Sequence, residues 1–376
     1  MKKINILDLF SGTGGFSHGF TSFSERFKVV GAVELDKDAA ITTRLNHKDC
    51  LVINKDIRET KPSLFNEYLK NEVVDVIIGG PPCQGFSSIR PFRSSEEEDP
   101  RNTLFEQFAL YVNYFTPKVF VMENVVGLVS HNNGLTLEII EDVFHNLGYD
   151  CEWKILNAAN YGVPQKRERF IMIGAKKGTK IHFPFPTHSF DGKTIGIKNK
   201  NKMVIVRENL PLALNAMEAI GDLPALASGK SATYYASEPL NAYQRERRVG
   251  SDGTLTLHKA TNHPPKMLEI IKHAGDNISF IPKHLITSGF SNCYSRISAN
   301  EPAPTITVKF VNPASSKCIH PYQDRALTPR EGARIQSFDD NYLFHGSRVQ
   351  VIKQIGNAVP PLLGKAIAKS VFEILN

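Results

Sequence analysis

Val73-Val74-Asp75-Val76-Ile77-Ile78-Gly79-Gly80-Pro81-Pro82-Cys83-Gln84-Gly85-Phe86-Ser87 reads as a strand followed by a stiff turn. The apolar run Val73 to Ile78 fits a buried strand. Two glycines and two prolines end it and restrict the backbone that follows. The first reactive side chain after the turn is the thiol of Cys83. The carboxyl end of a strand in an α/β sheet is where such folds bind ligands. Packing a core does not require Pro-Pro-Cys-Gln at that point, whereas positioning a nucleophile does.

On either side the chain alternates between the two periodicities. Strands are expected at Ile4–Phe10, Phe27–Val33, Leu51–Ile53, Val119–Met122 and Arg169–Gly174. Helices are expected at Gly12–Phe20, Lys37–Asn46, Leu104–Tyr114, Leu137–Leu147 and Val359–Leu375. Strands spaced by helices predict a doubly wound, mostly parallel α/β sheet. From Lys176 to about Asn341 the chain turns rich in Gly, Pro, Asn and Ser, and a second, smaller domain of loops and short strands is expected there. The boundaries drawn are 1–185 plus 344–376 for the first domain and 186–343 for the second with its hinge.

The 376 residues can build a large core, and the net charge of +7 allows an anionic partner. Five scattered cysteines with no CxxC pair suggest neither a zinc site nor a disulfide framework. No metal is expected. The N-terminus has no long apolar segment and no apolar run spans a bilayer, so a cytoplasmic protein without membrane contact is expected.

The first turn is Phe10-Ser11-Gly12-Thr13-Gly14-Gly15-Phe16. Glycines after a first strand let the backbone approach a ligand at a helix N-terminus. The dinucleotide fingerprint would place glycine at Ser17, so the pattern departs from it. Glu34-Leu35 ends the second strand, at the distance expected for an acid that holds ribose hydroxyls. Asp56-Ile57 follows the third. Asp36 reads as a helix cap, and a cap is the plain alternative for Asp56. The turn, Glu34 and Asp56 together favour a nucleoside cofactor without a pyrophosphate, namely S-adenosylmethionine. Further along, Glu123 ends the strand before Asn124-Val125. Gln165, Arg167 and Arg169 would share one face of an extended segment. Two arginines beside a thiol and a carboxylate suit an anionic or carbonyl-bearing substrate.

Six stretches, in order, resemble the DNA (cytosine-5)-methyltransferases of bacterial restriction–modification systems. They are Asp8–Phe16, Gly79–Ser87, Glu123–Val125, Gln165–Arg169, Leu327–Phe338 and Gln354–Pro361. The resemblance implies that Cys83 attacks C6 of a flipped-out cytosine and that Glu123 binds its N3 edge. Arg169 would hold the base carbonyl or the adjoining phosphate, supported by Arg167 and Gln165. It also implies cofactor contacts from Pro82, Leu104, Asn357, Ala358 and Val359, and a catalytic loop over Gln84–Arg101. Duplex DNA would be the partner, met by Gln84, Ser87 and Arg101, with Arg245, Arg247 and Arg248 either reading base edges or contacting phosphates. The enzyme would act as a monomer, beside a separate cognate endonuclease. Two rivals are a tRNA cytosine methyltransferase of the same fold, whose Cys-Phe-Thr signature this chain lacks, and a catalytically silent DNA-binding protein.

Overall fold

A computed structural model of the protein describes residues 2–70, 72–82, 103–191, 209–286, 289 and 291–376. Its first lobe holds a seven-stranded sheet. The strands in chain order are β1 (Ile4–Leu9), β2 (Phe27–Val33), β3 (Leu51–Ile53), β4 (Val76–Gly79), β5 (Val119–Asn124), β6 (Tyr149–Asn157) and β8 (Glu168–Lys176), with the short β7 (Gln165–Lys166) outside this sheet. Their order across the sheet is β3-β2-β1-β4-β5-β8-β6. β1 to β5 are parallel, and β8 runs antiparallel between β5 and β6.

The alternation of side chains explains the double winding. Leu7, Leu9, Ile77, Phe120, Met122 and Phe170 face one layer. There they meet Phe108 of α4 (Thr103–Phe115) and Phe144 of α5 (Leu135–Asn146), the third and fourth main helices of the lobe after α1 (Gly15–Phe23) and α2 (Lys37–Asn46) with the single turn α3 (Asn66–Leu69) between. Ile6, Val76, Ile78, Val121, Ile171 and Ile173 face the other layer, against Phe16 and Phe20 of α1 and the apolar stripe of the C-terminal helix. Near-continuous apolar strands are what a sheet covered on both faces requires.

Two elements differ from the sequence expectation. β4 begins at Val76 rather than Val73. Val73 is exposed, and Asp75 is held by Lys118 at 2.9 Å and by the Asn5 amide at 3.1 Å, so the entry to the strand is polar. β6 was not expected at all. It is an edge strand, and Asp150, Glu152 and Lys154 interrupt its apolar residues. Tyr149, Trp153 and Ile155 still alternate into the core at period two.

The second lobe is loop-rich, as expected, but among the described residues its strands reduce to β9 (Ala303–Pro304), paired with β7, and isolated bridges. Short helices take their place: α6 (Ala216–Ile220), α7 (Ala242–Arg247), α8 (Pro265–Lys272) and α9 (Pro329–Ile335). Then follow α10 (Arg348–Asn357) and α11 (Pro361–Leu375). Val351, Ile352 and Ile355 of α10 bury into one core with Ile220, Tyr243, Phe310 and Ile335. A boundary at 343/344 therefore cuts through that core. α11 alone returns to the sheet, with Leu363, Ile367 and Val371 in the layer of α1.

Candidate active site

The strand order reverses between β1 and β4, and the carboxyl ends of β1, β4 and β5 open at that switch point. Open α/β sheets bind ligands in this crevice. Among the described residues, the glycine turn after β1, Glu34 after β2, and Glu123 with Arg169 lie at this edge of the sheet.

After β1 the chain turns through Phe10, Gly12 and Gly14, with φ of 58°, 54° and 76°. Glu34 at the end of β2 fastens this turn. One carboxylate oxygen accepts from the Gly12 amide and the other from the Asp36 amide, both at 2.7 Å. Burial pushes the Glu34 carboxyl up from its ordinary value, against these hydrogen bonds. Leu35 is exposed beside it, and Ile57 is buried. Asp36 caps α2 through the Asp38 and Ala39 amides, as expected. Asp56 caps a single 3₁₀ turn and pairs with Arg58 at 2.6 Å.

Asp8 Oδ2, Ser11 Oγ and Thr13 Oγ1 around this turn are buried and have no hydrogen-bond partner. Burial pushes the Asp8 carboxyl up to about 7, with the Ser17 hydroxyl opposing and Glu34 adding. Orphaned polar atoms at a glycine turn are the donor and acceptor set that a polar ligand completes. Leu104 and Val359 are half-buried, Ala358 is buried and Asn357 exposed. The Val359 carbonyl stands where a Cβ on Gly15 would come within 2.8 Å.

At the end of β5, Glu123 pairs with Arg169 on the neighbouring β8, with Oε1 to Nε at 2.7 Å. Each side chain keeps 14% of its surface exposed. Gly80 lies against this pair: a Cβ there would stand 2.9 Å from Glu123 Oε2. Asn124 donates to the Pro81 carbonyl at 3.0 Å, which ties the Gly-Gly-Pro-Pro turn to β5. That role of Asn124 escaped the sequence reading, where it was only part of a motif. Pro82 is exposed. Cys83, Gln84, Ser87 and Arg101 lie outside the described residues, as does the rest of the Gln84–Arg101 loop.

Gln165 and Arg167 do not join the site. The extended segment breaks at Arg167, so β7 pairs with β9 while β8 enters the main sheet. Gln165 is buried, donating to Gln336 at 2.8 Å and accepting from the Ile306 amide at 2.8 Å. Arg167 is buried and donates to the Ile306 and Gly356 carbonyls, at 2.9 and 3.3 Å. Both fasten the second lobe to the first. Only Arg169 faces the crevice.

The recognition cluster needs the same correction. Arg247 is buried, donating to the Ser337 carbonyl at 2.8 Å. Arg248 holds Asp222 through Nε at 2.8 Å and lies 3.7 Å from the centre of the Tyr235 ring. Both guanidinium groups are engaged within the second lobe. Arg245 is exposed. Residues three apart on a short helix share a face, so Arg248 and Arg245 could look alike in the sequence; burial separates them.

No helix among the described residues is long and apolar enough to cross a membrane, and no metal-ligating cluster occurs among them. The chain matches the family described as C-5 cytosine-specific DNA methylase over residues 4–373. It is 36% identical to the type II methyltransferase M1.HphI of Haemophilus parahaemolyticus, covering 99% of this chain and 87% of that protein. It is also 36% identical to the type II methyltransferase M.DdeI of Desulfomicrobium norvegicum, covering 99% and 90%. Among solved structures, a DNA modification methyltransferase encoded within an E. coli prophage superposes with a TM-score of 0.76 at 25% identity, covering all of both chains. With the match running almost from end to end, the chain belongs to the C-5 cytosine-specific DNA methylase family.

Proposed function

We propose that this protein transfers the methyl group of S-adenosylmethionine to carbon 5 of a cytosine within a short duplex DNA sequence, with Cys83 as the nucleophile. The observation that carries the reading is the half-open Glu123–Arg169 pair, set against the turn that leads into Cys83. The orphaned polar atoms of Asp8, Ser11 and Thr13, together with Glu34, fit a nucleoside ligand bearing an ammonium and a carboxylate. These residues, with Asp56, Leu104 and Val359, would hold the cofactor. When bound it supplies an electrophilic methyl group.

The base must leave the helix to reach the crevice. Glu123 would accept from the exocyclic amine, and a proton held between its carboxyl group and N3 would draw electrons from the ring. Arg169 keeps the carboxylate in place and offers its remaining N–H groups to the base carbonyl. The Cys83 thiolate then bonds to C6, and the electron pair displaced toward C5 makes that carbon nucleophilic. After C5 is methylated, a base removes the C5 proton and the Cys83–C6 bond breaks. Aromaticity and the thiolate return together. Action as a monomer in the cytoplasm, alongside a separate cognate endonuclease, belongs to the same reading; the endonuclease draws on the type II names of the relatives.

The test is covalent trapping. Duplex DNA carrying 5-fluorocytosine at the methylated position has no proton to lose at C5. Wild-type protein with cofactor should remain joined to it through denaturing electrophoresis, and Cys83→Ser should not. Methylation by wild type with no trapped species would sink the thiolate mechanism.

A further inference from the structure

Three side chains from outside the glycine turn hydrogen-bond the Gly12 and Thr13 backbone. Glu34 accepts from the Gly12 amide at 2.7 Å, and the Thr43 hydroxyl donates to the Gly12 carbonyl at 3.0 Å. The third clamp comes from beyond the first lobe: the Tyr342 hydroxyl donates to the Thr13 carbonyl. Thr13 sits between Gly12 and Gly14, both at positive φ. Glycines have the most backbone freedom to lose, so a turn built on them needs external ties to hold one shape. Tyr342 is buried, and burial pushes its phenol up, which keeps it a donor.

Tyr342 ends the segment 337–342, which lies along α1. Phe338 stands where a Cβ on Gly15 would come within 2.9 Å. Asp339 Oδ2 lies 3.3 Å from His18 Nε2 on α1, and its Oδ1 lies 3.3 Å from Arg247 Nε on α7. That last contact is an ion pair whose angle makes no hydrogen bond. Arg247 also donates to the Ser337 carbonyl at 2.8 Å, and its own carbonyl accepts from the Asp340 amide at 2.8 Å. The side chain and backbone of one α7 residue thus hold the segment at Ser337 and at Asp340. The His18 ring meets Tyr342 edge-on at 4.9 Å.

We propose that Tyr342 is a positioning residue for the cofactor: carried on a segment that Arg247 holds, its hydroxyl fixes the Thr13 carbonyl and so the shape of the glycine turn. The inference rests on the reading that this turn binds the cofactor. It gives Arg247, expected from the sequence to read DNA, a different task. The seat of the cofactor is completed by the second lobe.

The test uses S-adenosylhomocysteine and the full chain. Tyr342→Phe keeps the ring against Phe338, Phe344 and His18 and removes only the donor. Calorimetry should show affinity falling about three- to tenfold, the range for one lost buried hydrogen bond. Hydrogen exchange should quicken in the peptide covering residues 11–15, and the melting temperature should stay near wild type. Arg247→Gln, which touches no part of the turn, should lower the same affinity in the same direction. It carries the test alone if Tyr342→Phe folds poorly. Wild-type affinity in both variants would overturn the proposal. Wild-type protein that binds no S-adenosylhomocysteine would instead overturn the cofactor reading itself.

Discussion

Arginine meets carboxylate in two regions of this molecule, and the surroundings differ. At the carboxyl edge of the sheet, Arg169 and Glu123 form one pair, with 14% of each side chain open to the crevice. In the second lobe, Arg334 holds Asp340 at 2.6 Å and Asp222 at 3.1 Å, and all three side chains are fully buried. Arg330 and Arg248 join the same lattice. An open pair keeps donors and acceptors that a substrate can use. A closed lattice has satisfied them, and what it supplies is a fixed arrangement of α6, α7 and α9. Charge chemistry alone therefore does not mark a site. Partial exposure at the end of a strand does.

Substitution should separate the two regions most strongly in stability. Arg334→Leu leaves two carboxylates in the interior without their main cation. A broken buried pair typically loses about 3–5 kcal/mol, and denaturant unfolding should show a loss of that order. Arg169→Gln should cost less stability than Arg334→Leu, because Glu123 stays partly open to the crevice. It should nonetheless lower the methylation rate roughly 10²-fold or more. Equal losses of stability at the two sites would erase the distinction.

Acidity sharpens the same contrast. Asp8 and Glu331 are both buried, and their carboxyls move in opposite directions. Glu331 takes both guanidinium arms of Arg325, at 2.7 and 2.8 Å, and despite burial its carboxyl falls to about 2. Asp8 has no cation beside it and rises to about 7. A depressed carboxyl contributes stability above its unfolded value of 4.5, and that contribution is lost as pH falls toward 2. A raised one does the reverse. The contribution of protonated Asp8 is complete below its unfolded value of 3.8 and is lost as pH rises through 7. Asp8→Asn should therefore abolish the fall in stability that this carboxyl causes between about pH 4 and pH 7. At pH 8 the variant should exceed wild type by roughly 1–3 kcal/mol, somewhat less than three pKa units would give. An unchanged fall across that range would mean that Asp8 is already ionised there in the folded protein.

The fold of the first lobe was largely legible. The strands and helices around the glycine turn, the acid after β2 and Glu123-Asn124-Val125 each sit in a short segment whose pattern follows from neighbours in sequence. The shape of the second lobe was not. Gln165, Arg167, Arg247 and Arg248 carry the residue types of a polar site, and their partners lie up to 189 residues away. Nothing local says that Gly356 accepts from Arg167 or that Asp222 closes on Arg248. The edge strand β6 was missed because charged residues dilute its alternation. The tie between Tyr342 and Thr13 spans 329 residues and could only appear once the chain was folded.

Arg245 is the part of the recognition cluster left exposed, and its substitution should have the smallest effect. If it meets a phosphate, Arg245→Ala should weaken binding evenly across DNA sequences and reduce the salt slope by about one. A relaxed base preference at one position of the methylated site would instead make it a reader.

Methylation of cytosine through Cys83, in the crevice at β1, β4 and β5, can be read by bisulfite sequencing of host DNA from cells expressing the protein. Wild type should protect one cytosine within a single short recurring sequence, and Cys83→Ser, expressed to the same level, should protect none. Equal protection by the two proteins, or no protected cytosine with wild type, would contradict the claim.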